Sequence, residues 1–65
     1  MAARKVGHDE CVEIVNFFDV TARSMERRAE KRLGTLTVET QRKIVQWADG
    51  EVFVKYGLNI RDLFA

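Results

Sequence analysis

The chain has 65 residues, 46% of them hydrophobic and 32% charged, with no proline and a net charge of +1 from 11 basic and 10 acidic side chains. A domain of this size buries only about 60% of the surface its unfolded chain exposes, so its core is small and dimerisation is an expected way to add burial. The charge balance gives no overall pull toward a polyanion, the lone Cys11 leaves no internal disulfide, and no apolar run approaches the roughly 18 residues of a membrane span.

Taken in chain order, residues 1–8 read as a flexible arm. Arg4 and Lys5 are followed by no apolar stretch of the kind a secretory leader needs, and a single cysteine suits a reducing compartment, so the expected location is cytoplasmic. Asp9 is the expected N-cap of the first helix, with Glu10 and Glu13 in its first turn, where acids complement the helix dipole. Over residues 10–33, Cys11, Val15, Phe18, Ala22, Met25, Ala29 and Leu33 recur at spacings of three and four. At ~100° per residue they form an apolar stripe roughly 80° wide, with Ile14 at its edge. Cys11, on this stripe, is expected to be buried and slow to react. Gly34 closes the helix as a left-handed C′ residue, with Lys31 and Arg32 in the last turn.

Thr37 is the expected N-cap of a second helix from Val38 to about Ala48, whose apolar face runs through Val38, Val45, Ala48 and Val52. Asp49 and Gly50 form a turn-prone pair and predict a break or kink. Residues 51–56 then read as a short helix ended by Gly57, because a single strand there would have no partner. Asn59 caps a last turn over residues 60–64. The predicted fold is all-α, one domain over residues 1–65 with three to four helices.

Residues 16–21 are poor helix formers inside a good helical pattern. If the helix is continuous, Phe17 lies about 120° from the stripe and Val20 roughly opposite it. Two exposed apolar residues on so small a domain call for a second interface or a break. A break at Asp19 and Val20, with Thr21 as the next N-cap, places Ile14, Val15, Phe18, Val20 and Met25 at helix-turn-helix spacing. Over residues 18–34 the run Val20, Thr21, Ala22, Arg23, Ser24, Met25, Glu26, Arg27, Arg28, closed by Leu33 and Gly34, resembles the second helix-turn-helix of AraC-type DNA-binding regulators. It departs from that pattern at Asp19, where the turn usually holds Gly, and at Ala29, where an aromatic usually follows the paired arginines. The resemblance implies a recognition helix beginning at Thr21. A shorter echo over residues 52–63 precedes a helix too short to fill a major groove and reads as a packing element.

Residues 23–32 hold Arg23, Arg27, Arg28, Lys31 and Arg32 against Glu26 and Glu30, a net charge of 5 − 2 = +3, which leaves 1 − 3 = −2 for the rest of the chain. Arg23, Arg27 and Lys31 repeat at i, i+4 and i+8, and each such like-charge pair costs a helix a few tenths of a kcal/mol. Glu26 and Glu30 offset this only through their i−3 partners Arg23 and Arg27. A stripe left unneutralised suits phosphates or an acidic protein surface, whereas the plainer reading is a solvated face.

The first functional expectation is therefore a small DNA-binding transcriptional regulator of phage or plasmid type, a homodimer contacting duplex DNA through Thr21, Arg23, Ser24, Arg27, Arg28, Lys31 and Arg32. The alternative makes residues 10–33 one helix of roughly 36 Å in a long hairpin that forms a dimeric bundle. Such a dimer would bind and regulate a partner protein, as an anti-activator, antitoxin or phage inhibitor of a host protein does. Phe17, Val20 and Trp47 would then be the interface residues. Trp47 stands off the second helix's apolar face, where aromatics favour interfaces, although it also suits the edge of a core. His8 has no second ligand at metal spacing and Ser24 no histidine and carboxylate partners. No metal, cofactor, small-molecule substrate or enzymatic activity is expected. The backbone at residues 19–21 separates the two readings.

Overall fold

The computed structural model describes residues 6–64, so the arm expected at the start lies outside the described residues as far as residue 5. Helix α1 spans His8–Leu33, helix α2 spans Val38–Tyr56, and a 3-10 turn spans Ile60–Leu63; no strand occurs among the described residues. The expectation of three to four helices gives way to a two-helix hairpin with a short tail.

The decisive difference lies in α1, which runs without interruption for 26 residues. The break expected at Asp19 and Val20 does not form. Asp19 does not adopt a positive φ, and Thr21 is a half-buried interior residue rather than an N-cap. Once a helix is nucleated, each added residue gains a hydrogen bond, and packing on a neighbour outweighs weak local propensity. Phe17, Phe18 and Ala22 supply that packing, and Asp19 adds an i+4 ion pair to Arg23, 3.1 Å.

The start of α1 also differs. Gly7 holds the N-cap position, so Asp9 and Glu10 both sit in the first turn. The ends behave as read: Gly34 takes φ 79° and donates its N–H to the Glu30 carbonyl, and Thr37 caps α2 by accepting from the Thr40 N–H at 3.1 Å.

Helix α2 is likewise continuous through Asp49 and Gly50, and ends only at Gly57, φ 78°. A glycine inside a helix costs about 1 kcal/mol, and the Asp49 side chain explains why the pair does not break it. Its carboxylate accepts from the Ile60 N–H at 2.7 Å and from the Asn59 Nδ2 at 3.2 Å. A residue that reads as a turn former thus fastens the tail turn across space. Asn59 caps that turn, its N–H donating to Asp62 Oδ2 at 2.9 Å.

The buried rows match the predicted stripes in part: Phe18, Ala22, Met25 and Ala29 pack into the core, as do Ala48 and Val52. Ile14, expected at an edge, is fully buried, as are Ala48 and Val52. The contact follows the i, i+4 ridges Ile14, Phe18 and Ala22 on α1 and Ile44, Ala48 and Val52 on α2, the ridge type that interdigitates most often between helices. Val15 and Leu33 fall off this row on α1, and Val38 and Val45 on α2; all four are exposed. Cys11 is half-buried rather than enclosed.

Two clusters result. Ile14, Val52 and Leu58 pack with Val6, Phe17, Phe18, Tyr56, Ile60 and Leu63 at the end of the hairpin away from the loop. Ala22, Ile44 and Ala48 pack with Phe18, Met25, Ala29 and Leu36 toward the loop.

Candidate interaction surfaces

The basic run occupies the C-terminal half of α1, on the solvent side. Arg23 is held by Asp19, not by Glu26 as its spacing suggested. Arg27, Arg28, Lys31 and Arg32 are exposed and make no ion pair among the described residues. Ser24, Arg27, Arg28, Lys31 and Gly34 line one side of a shallow open depression with Glu30. The structure therefore gathers most of the predicted cationic residues on one helical segment. Thr21 does not join them, because it is half-buried.

The predicted interface residues divide. Phe17 is not free: its ring meets Tyr56 edge-on with centroids 5.7 Å apart, and the Lys55 Nζ sits 4.5 Å above it. Tyr56 donates its hydroxyl to Glu13 Oε2 at 3.1 Å. Desolvation by this packing, then the Glu13 hydrogen bond and the charges of Glu13 and Glu10, raise the Tyr56 hydroxyl above its ordinary 10.0. Val20 is 67% exposed and Trp47 42% exposed.

Helix phase relates these residues. At ~100° per residue, Phe17, Val20 and Ser24 fall within an arc of about 60° on α1, and Trp47, Glu51 and Val54 within a similar arc on α2. Both arcs lie on the same rotational side of their buried rows. In an antiparallel pair, like flanks of the two helices face the same way, so the arcs form one surface. Lys55 and Tyr56, which cover Phe17, lie about 80° and 180° round α2 from Trp47, outside that arc. Val54, one heptad beyond Trp47, was missed by the sequence reading. Its signal was the i, i+7 spacing, hidden by the expected break at Asp49 and Gly50.

The opposite flank is covered near the termini, because Asp49 anchors the tail turn there. Val20, Trp47 and Val54 have no such cover among the described residues. Among those residues no cluster of three or more His, Cys, Asp or Glu side chains converges as a metal site, and no helix is long and apolar enough to cross a membrane. No protein-family model matches the chain, and no match is found among curated proteins or solved structures.

Proposed function

We propose that the chain is a non-catalytic helical module that works by binding protein, as a homodimer that regulates a partner. The observation that carries this reading is the unbroken α1 across Asp19, Val20 and Thr21. A helix-turn-helix needs a turn at that point to aim a recognition helix into the major groove. Without the turn, Val20 and Trp47 are left on one apolar flank of a hairpin, the arrangement of a helical bundle lacking its second layer.

A second reading rests on its own observation. Arg27, Arg28, Lys31 and Arg32 carry four positive charges with no ion-pair partner among the described residues, and such a segment can meet phosphates without a helix-turn-helix. One experiment separates the two. Duplex DNA of random sequence is titrated with the wild-type chain and with Arg27→Ala at low and moderate salt. The protein-binding reading expects no saturable complex from either chain. A complex whose affinity falls with salt at a log–log slope of about −0.9 per phosphate contacted, and which Arg27→Ala weakens, would replace it with the DNA reading.

A further inference from the structure

The bare flank raises the question of what covers it.

The exposed charges say which partner fits. On α1, Asp9 and Lys31 stand eleven residues before and after Val20, and Glu13 and Arg27 stand seven before and after it. Each pair joins opposite signs about one centre. On α2, Lys43 and Glu51 stand four residues either side of Trp47, again with opposite signs. All six charged residues are exposed. The two centres are level. Phe18 and Ala22 pack in one cluster with Ala48 and Ile44, so Val20, midway between 18 and 22, lies opposite position 46, beside Trp47.

Two helices that each reverse their charge about a shared level are complementary to copies of themselves turned end for end. We infer that the flank is covered by a second copy of this chain lying antiparallel, with α1 on α1 and α2 on α2 and the two-fold axis passing by Val20 and Trp47. The loop end of each hairpin then rests on the terminal end of the other. Glu13 meets Arg27 of the second copy, Asp9 meets Lys31, and Lys43 meets Glu51, each contact occurring twice because the interface is isologous. The Glu13 carboxylate keeps one oxygen for this, since Tyr56 bonds only Oε2. The apolar centre is Val20 and Trp47 with their symmetry mates, flanked by Phe17 and Val54. The other two-fold stacking, loop end on loop end, would place Arg27, Lys31 and Lys43 of both copies together and is disfavoured by repulsion. This inference rests on the protein-binding reading and specifies its homodimer.

The test is sedimentation equilibrium of the full chain at low salt, with far-ultraviolet circular dichroism to show that every variant keeps its helices. The wild type is expected to dimerise, with the emission of Trp47, the only tryptophan, moving to shorter wavelength as the dimer forms. Glu13→Arg and Arg27→Glu each turn two attractive contacts repulsive and should each weaken self-association roughly tenfold. An equimolar mixture of the two variants should regain the wild-type dimer, because every contact in the mixed pair is attractive again. A wild-type monomer at every concentration reached would overturn the inference. So would a dimer indifferent to both reversals, or a mixture that fails to recover. Salt-dependent duplex binding would instead count against the parent reading, leaving the self-association result to stand or fall by itself.

Discussion

The two ends of the hairpin are built differently although both are made from the same two helices. At the terminal end three segments converge, because the tail folds back and Leu58, Ile60 and Leu63 close over Ile14 and Val52. At the loop end the two helices meet over Ala22, Ile44 and Ala48 with only Leu36 of the connecting loop added, and Leu33 and Val38 beside the loop remain exposed. Charge tilts the same way: toward the termini the acids Asp9, Glu10, Glu13, Asp49, Glu51 and Asp62 outnumber the bases Lys55 and Arg61, and toward the loop Arg27, Arg28, Lys31, Arg32, Arg42 and Lys43 outnumber Glu26, Glu30 and Glu39. A third segment gives the terminal end a closed core, while the loop end offers charge and unfilled apolar surface. Folding stability therefore concentrates at one end, and recognition draws on the loop end and the open flank.

The largest effect that could break this comparison comes from truncating each end. Ile14→Ala removes a fully buried side chain and should cost about 3 kcal/mol, a large share of the stability of so small a domain. Leu36→Ala, half-buried at the loop end, should cost about 1 kcal/mol. Urea denaturation of both variants measures the difference, and equal losses would mean the ends are equivalent. Next in size, Asp49→Ala removes both bonds that hold the tail turn. It should cost about 1–2 kcal/mol, and the Ile60 amide should lose its protection from hydrogen exchange while Ala22 and Ala48 keep theirs. A protected Ile60 amide in that variant would show that the tail is held by apolar packing alone.

The smallest expected effect is a dependence on pH. Because the Tyr56 hydroxyl is raised above 10.0 in the folded chain, the native state holds its proton more tightly than the unfolded state. Its contribution is complete below that value and is lost as pH rises through the folded pKa. Tyr56→Phe should flatten the alkaline part of the stability profile relative to wild type, measured by urea denaturation at increasing pH. An identical alkaline decline in both chains would place its origin elsewhere.

Sequence alone determined what depends on neighbours along the chain. Helical content, the left-handed glycines at 34 and 57, the Thr37 cap, the Asn59 turn and the cationic segment at residues 23–32 all follow from local backbone and side-chain preferences, and all were legible. Tertiary structure decided the rest. Weak helix formers at residues 16–21 stayed helical because Phe17, Phe18 and Ala22 found partners on α2. Asp49 served the tail rather than a turn because Ile60 and Asn59 came within hydrogen-bond reach. Ile14 rather than Val15 became the centre of the core because packing followed ridges spaced by four, and which ridge is buried is set by the opposing helix. A one-dimensional pattern leaves that phase open within about one residue, some 100° of rotation. That rotation decides whether Phe17 and Trp47 face a core, a partner or water.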